Sequence, residues 1–157
     1  MDDKLMRIAM GKFATGVTVI LSENESGELR GMTANAFMSV SLDPKLILIS
    51  VDNRANMKSI IEQSSKFSVN VLADNQVDIS KQFAGQLKED KEVAFNFSHE
   101  IPVIEGSLTS IVCDVYDIVV QGDHTLFVGK VKHLTVNEGN PLLFNQGKYE
   151  TLTPVSV

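Results

Sequence analysis

From Gly31 to Val51 the chain reads GMTANAFMSVSLDPKLILISV, and its first half sets Thr33, Ala34, Asn35, Ala36, Ser39 and Ser41 close together. A core strand is ordinarily built from β-branched and aromatic bulk. A row of small and hydroxylic side chains instead lets a flat molecule lie against the backbone, where N–H and C=O groups can bond to it. The chemistry suited to such a slot is the capture of a planar heterocycle. Other reactive side chains are sparse. The three histidines (His99, His124 and His133) and the single cysteine, Cys113, show no metal-ligand spacing, so no zinc site is expected. No GxGxxG follows a strand, so the mark of a Rossmann dinucleotide site is missing. No Ser-His-Asp arrangement can be defended.

The elements that must hold this slot follow from apolar periodicity and turn chemistry. Leu5, Ile8 and Ala9 are spaced to pack a short helix within Asp2 to Lys12. Phe13–Ser22 and Leu29–Ser41 read as strands around a polar hairpin loop at Glu23–Glu28. Asp43-Pro44 makes a turn into Leu46–Val51, apolar enough for a strand buried on both faces. Asn53–Ser65 is a helix capped by Asn53 or Asn56, with Met57, Ile60 and Ile61 on its apolar face. After a strand at Phe67–Leu72, Asp74 or Asn75 caps a second helix that places Ile79 and Phe83 on one side and stops at Gly85. Gln86–Glu92 is a charged surface loop or flap, and Phe95–Val103 is irregular. Leu108–Val120 and Leu126–Val136 are long strands across the turn Gln121-Gly122-Asp123-His124. Pro141–Phe144 and Lys148–Leu152 close the chain. About seven strands joined mostly by short turns favour a mainly β fold with helical insertions, an antiparallel barrel rather than a doubly wound sheet.

Length and composition bound the answer further. The 157 residues suit one domain, 1–157, with a single core. Fourteen Lys and Arg against 20 Asp and Glu leave a net charge of −6, which argues against a nucleic-acid surface. A lone cysteine rules out an internal disulfide and fits a reducing, cytoplasmic setting. The N-terminus has no uninterrupted apolar stretch, and the longest apolar runs are too short to span a bilayer, so neither a secretory leader nor a membrane association is expected. Cys113 alternates with Ile111 and Val115 and reads as a small buried hydrophobe.

Five segments now add up. FATGVTV, GMTANAFMSVSLDPKLILISV, FSVNVLADNQVDISKQFAG, GDHTLFVGKV and LLFNQGKY occur in this order between Phe13 and Tyr149. Together they resemble the flavin reductase family, whose fold is the FMN-binding split barrel. More narrowly, they are similar to the small reductase components of two-component flavin monooxygenases. The resemblance implies a homodimer with flavin near the subunit interface. It implies FMN or FAD as acceptor and NADH or NADPH as hydride donor. Reduced flavin would then diffuse to a partner monooxygenase.

The resemblance also implies site residues. Met32, Thr33, Ala34 and Asn35 would contact the flavin ring and ribityl chain, with Thr33 and Asn35 offering polar groups. Ser50 would point toward the flavin. The turn Ser50-Val51-Asp52 leads to a helix whose free N–H groups suit the flavin phosphate, with positive charge from Arg54 and Lys58. Relatives often carry Ser or Thr in this turn, where this chain has Ala55, Asn56 and Met57, so the phosphate ligands stay open. Phe83 and Gly85 would border the pocket, although Phe83 serves equally as a core anchor and Gly85 as a helix stop. His124 would lie by the nicotinamide and orient it, and Tyr149 would stand near the same nucleotide. His99 and His133 have no partner in sequence and read as structural or surface residues. Hydride transfer from nicotinamide C4 to flavin N5 needs stacked rings about 3–3.5 Å apart rather than a protein nucleophile. The competing reading is a flavin-binding electron carrier without pyridine-nucleotide oxidase activity.

Overall fold

The computed structural model describes residues 2–97 and 99–156. Its main sheet has seven antiparallel strands: β2 (Thr18–Glu23), β3 (Leu29–Ala34), β4 (Phe37–Leu42), β5 (Lys45–Asp52), β6 (Lys66–Val71), β9 (Thr109–Gln121) and β10 (His124–Val136). Their order in space is β3-β2-β6-β9-β10-β5-β4. Strands β3 and β4 therefore sit at opposite edges of the sheet. Yet only Asn35 and Ala36 join Ala34 to Phe37, and so short a link reaches at most about 11 Å. The sheet must curl until its two edges nearly meet. The result is a barrel left open along one seam, the split antiparallel barrel expected of the sequence. Expected as one strand, Leu29–Ser41 is two. The link contains neither glycine nor proline, so nothing local marks the break.

The barrel core contains Ile20, Ile47, Ile49, Val51, Phe67 and Phe127, with Met57 and Ile61 of α2 (Asn56–Ser64) packed on it. Along β5 the residues Ile47, Ile49 and Val51 are buried while their neighbours are less so, an alternation set by the pleat. Strand β5 is thus buried on one face rather than two. Gly129 of β10 lies against Phe67, where an added Cβ would come within 2.6 Å of Cζ. The second cluster joins Val17, Val19, Leu21 and Leu72 to Ile101, Val103 and Ile104 of the 101–104 segment. Two buried amides tie that segment down. Asn70 Oδ1 accepts from the Ile104 amide at 2.8 Å and from the Ser110 hydroxyl at 3.1 Å. Gln76 Nε2 donates to the Glu105 carbonyl at 2.9 Å. Phe95–Val103, expected to be irregular, includes the short hairpin β7 (Phe95–Asn96) and β8 (Val103–Ile104). A small sheet of β1 (Thr15–Gly16), β11 (Leu143–Asn145) and β12 (Lys148–Glu150) flanks the seam.

The helices differ in detail from expectation. Neither Asn53 nor Asn56 caps α2. Its cap position is Ala55, with no side-chain hydrogen bond, because the Asn53 amide is occupied elsewhere. Asp74–Gln76 is a single 3-10 turn leading into α3 (Val77–Phe83), and the side-chain Oε1 of Gln76, not Asp74 or Asn75, accepts the Ala73 N–H at 2.9 Å. Helix α1 (Asp3–Gly11) is capped by Asp2 but buries no residue: Leu5 is 60% and Ile8 52% exposed. Its apolar stripe exists as expected, but among the described residues nothing covers it. The charged 86–92 loop is tethered rather than free. The Gln82 amide bonds to both the N–H and the C=O of Lys91, and Lys91 Nζ lies 2.6 Å from Asp78. His99 has a partner after all: its ring stacks on His133 with centroids 4.6 Å apart. Among the described residues no helix is long and apolar enough to cross a membrane.

Candidate active site

Three cavities converge on the Asn35–Ala36 link, and Asn35 lines all of them. The first, about 180 Å³, lies between β3, α3 and the β11–β12 hairpin, with Thr33, Ala34, Ser80, Gln86, Phe144 and Tyr149 in its wall. The second, about 390 Å³, is lined by Phe13, Thr15, Thr18 and Phe37 among others. The third, about 610 Å³, adds Met10, Ala36, Met38, Leu48 and Ser50. The lining is small or apolar side chains with a few neutral polar groups, and none of the three is lined by a Lys or Arg.

The seam accounts for this arrangement. Edge strands present unpaired N–H and C=O groups, and the link between two edges cannot pair with either. Ala34 C=O accepts the Thr18 hydroxyl at 2.7 Å, and Ala36 C=O accepts the Ser50 N–H at 3.1 Å. Asn35 C=O accepts the Phe37 N–H at 3.0 Å in a tight bend. The exposed Asn35 side chain has no hydrogen bond among the described residues and projects where the cavities meet. Thr15 Oγ1 is a buried hydroxyl oxygen without a partner among the described residues, in the wall shared by the second and third cavities. A buried unpaired hydroxyl costs free energy unless something bonds it. An orphan hydroxyl, a free amide and flanking apolar surface from Phe13, Phe37 and Met38 fit a flat heterocycle with polar edges. The residues present therefore fit a flavin ring.

The expected site residues divide into those the fold brings together and those it does not. Thr33, Ala34, Asn35 and Tyr149 line the first cavity, and Ser50 the third. Met32 faces away. Successive strand residues point to opposite sides, so Met32 packs toward the core and lines a separate cavity at the start of α2 with Arg30, Ala55 and Asn56. Val51 is 1% exposed and belongs to the core for the same reason. Phe83 is an anchor: its ring packs over Gly31 and fastens α3 to β3. Gly85, at φ +68°, stops the helix in a conformation that favours glycine; its neighbours Ala84 and Gln86, not Gly85, line the cleft. Thr33 is not a free donor, because its hydroxyl gives its proton to the Ser80 carbonyl at 2.6 Å.

A second polar centre lies at the end of β5 and β10, where His124 pairs with Asp52 in register. Arg54 grips Asp52 at both oxygens, at 3.1 and 2.7 Å, and the Arg54 amide adds a bond of 2.8 Å. This bidentate grip holds the Asp52 carboxyl well below the usual carboxylate range. Arg54 is thus already paired, although its side chain is 87% exposed. His124 Nδ1 meets Asp123 Oδ1 at 2.8 Å, and that bond lowers the Asp123 carboxyl. Asn53 fixes the two turns to each other. Its N–H and Nδ2 donate to Asp123 and Gly122 carbonyls, and its Oδ1 accepts the Thr125 hydroxyl at 2.6 Å. Sequence reasoning missed Thr15, Ser80, Gln86 and Phe144, which reach the cleft only through distant pairings. Ser80, a helix-neutral residue in mid-helix, was the one available hint.

Comparison with known proteins agrees with this geometry. Residues 10–153 match the model of the flavin reductase like domain. The chain is 40% identical over 149 residues to an NADH-dependent flavin reductase of Rhodococcus sp, covering 94% of this chain and 85% of the relative. It is 36% identical over 145 residues to the reductase component of 4-hydroxyphenylacetate 3-monooxygenase of Thermus thermophilus, covering 92% and 93%. The solved structure of flavin reductase PheA2 in its native state superposes with a TM-score of 0.95 at 51% identity, covering 98% of this chain and all of that one. Five ordered motifs, a barrel split at Asn35 and these likenesses converge: the chain belongs to the flavin reductase family.

Proposed function

We propose that this NAD(P)H-dependent flavin reductase holds FMN or FAD in the cleft around Asn35 and takes its electrons from NADH. The observation that carries the reading is the seam itself: a two-residue link between opposite sheet edges, with a free amide and an unpaired buried hydroxyl, Thr15 Oγ1, in the surrounding walls. Asn35 and Thr15 offer hydrogen bonds to the polar edge of the ring, Ala34 and Ala36 leave room for its plane, and Phe37 covers apolar area. Ser50 stands on the same strand face as Asp52, two residues along. The first turn of α2, uncapped by any side chain, offers its N–H groups to the phosphate, and Met32 walls the cavity there. Arg54, already neutralised by Asp52, adds little there. The bound pair supplies the chemistry, a hydride passing from nicotinamide C4 to flavin N5. The chain's part is to stack the two rings and to offer N–H groups where negative charge develops.

His124, held by Asp123, orients the nicotinamide from the β9–β10 hairpin, and Tyr149 walls the same nucleotide. NADH is favoured because the relative in Rhodococcus is an NADH-dependent flavin reductase and Lys81, the cation beside the Tyr149 wall, sits over the tyrosine ring and does not line the cavity, whereas a 2′-phosphate calls for a cation. The released flavin serves a separate monooxygenase, as the Thermus relative's description as a reductase component suggests. The working unit in this reading is one domain, as a homodimer in the cytoplasm. Its support is the exposed apolar side chains on α1 and on the sheet, where Leu5, Ile8, Phe13, Met38, Val120 and Val136 lie open.

Steady-state kinetics test the reading. NADH and NADPH are each mixed anaerobically with FMN, FAD and riboflavin, and loss of reduced-nicotinamide absorbance is followed. Rates well above the protein-free control, with NADH preferred, are expected. Tightly held flavin with no nucleotide oxidation would instead establish the electron-carrier reading.

A further inference from the structure

Ser80 sits in the middle of α3, is completely buried, and belongs to no part of the reaction described above. Alanine would serve the helix better by about 0.5 kcal/mol and would fill almost the same space. The hydroxyl therefore calls for a tertiary explanation, and the contacts supply one. Ser80 Oγ and Tyr149 Oη share a hydrogen bond of 2.9 Å, 69 residues apart in sequence. The Ser80 carbonyl accepts the Thr33 hydroxyl at 2.6 Å and also the Ala84 N–H at 3.1 Å. One buried residue thus touches both walls of the first cavity: the seam strand β3 through its backbone, and the C-terminal hairpin through its side chain. The Tyr149 ring is braced from two further sides. Phe144 meets it edge-on at 5.5 Å, and Lys81 Nζ stands 5.9 Å from its centre. Among the described residues only the Ser80 bond fixes the phenol's tip, and hence the tilt of the ring that faces the cavity.

We propose that Ser80 is a positioning residue: it sets the orientation of Tyr149 relative to the seam strand and thereby the affinity for the pyridine nucleotide, without touching either ligand. This rests on the reading of the first cavity as the nucleotide side of the cleft. Because the Thr33 bond uses the backbone, replacing the side chain spares it and leaves the flavin wall intact. The effect falls on the nucleotide alone.

The experiment compares Ser80→Ala, Tyr149→Phe and the double variant in NADH oxidation, with flavin affinity measured separately by fluorescence quenching. Each single change raises the KM for NADH about three- to tenfold, the scale of one neutral hydrogen bond, with kcat and flavin affinity held within about twofold. The double variant is no worse than either single one, since both remove the same bond. Unchanged KM in both singles, or effects that multiply in the double variant, overturns the assignment. So does equal weakening of flavin and nucleotide, the signature of a helix that has merely loosened. Tyr149→Phe alters no buried side chain of α3, so it carries the test even if Ser80→Ala misfolds. A wild-type protein that oxidises no NAD(P)H would instead remove the underlying reading.

Discussion

Gly31→Ala probes the docking of α3 onto the seam strand, on which the whole cleft depends. A Cβ built at Gly31 falls 2.4 Å from both Cδ1 and Cε1 of Phe83 and 2.9 Å from Cδ2 of Leu21. Carbon atoms pack best at about 3.5–4.0 Å, so the Phe83 ring must retreat by roughly 1 Å or more. Phe83 closes α3, and Leu21 is fully buried behind it, so the ring cannot turn aside freely. Overpacking of this kind costs about 1–3 kcal/mol. Relief of glycine's unfolded-state entropy offsets about 0.5–1 kcal/mol. The net is a loss of up to about 2.5 kcal/mol. With a urea slope near 2 kcal/mol per molar, the midpoint drops by up to about 1.2 M at fixed protein concentration. Urea titration followed by far-UV circular dichroism reads this directly. Because Ser80 rides on the same helix, the KM for NADH rises as well. Phe83→Leu in the same chain restores much of the midpoint by making room. A Gly31→Ala protein more stable than wild type would refute the close packing of α3 against β3.

Further outcomes follow from other contacts. Asn53→Ala leaves the buried Thr125 hydroxyl without its acceptor and frees the hairpin from the Asp52 turn. It costs about 1–3 kcal/mol in urea unfolding and raises the KM for NADH, and an unchanged midpoint would contradict it. Arg54→Ala weakens FMN binding by less than about threefold relative to riboflavin, because the Asp52 grip already uses its charge. A tenfold selective loss of FMN would make Arg54 a true phosphate ligand. Cys113 is fully buried, and burial pushes its thiol up to about 12, so a thiol reagent labels none in the native state and one per chain after unfolding. The unfolded thiol ionises first, so stability is intact below about pH 9 and falls above it by up to about 1.4 kcal/mol per pH unit until the native thiol also titrates. Flat stability across that range would show that the thiol is not buried.

The sequence was most legible where chemistry and local pattern coincide. The small-residue run at Thr33 to Asn35 marked the cleft, and Gly122-Asp123 marked the hairpin that presents His124 as the first residue of β10. Met32 and Thr33 cannot face the same way on one strand, nor can Ser50 and Val51, so Val51 lies in the core and half-buried Met32 leans on it from the face opposite Thr33. The seam itself was not legible. Asn35-Ala36 carries no turn signal, and its bend exists because distant strands close the barrel around it. Ser80, Thr15 and Phe144 escaped for a related reason: each reaches the cleft through pairings tens of residues away, such as Thr15 with Phe144. The exposed stripe of α1 shows the converse limit, since periodicity reveals an apolar face without saying what covers it.

The central claim is that flavin lies where the three cavities meet. Asn35→Trp fills that junction from an exposed position that bears on no buried side-chain bond. Anaerobic mixing of FMN and NADH with wild-type and Asn35→Trp protein, followed by bleaching of the flavin's visible absorbance, is the direct measurement. Rapid bleaching is expected with wild type and a rate lowered by at least about tenfold in the variant, through lost flavin affinity at an unchanged melting temperature. Equal bleaching by the two proteins would place the flavin elsewhere.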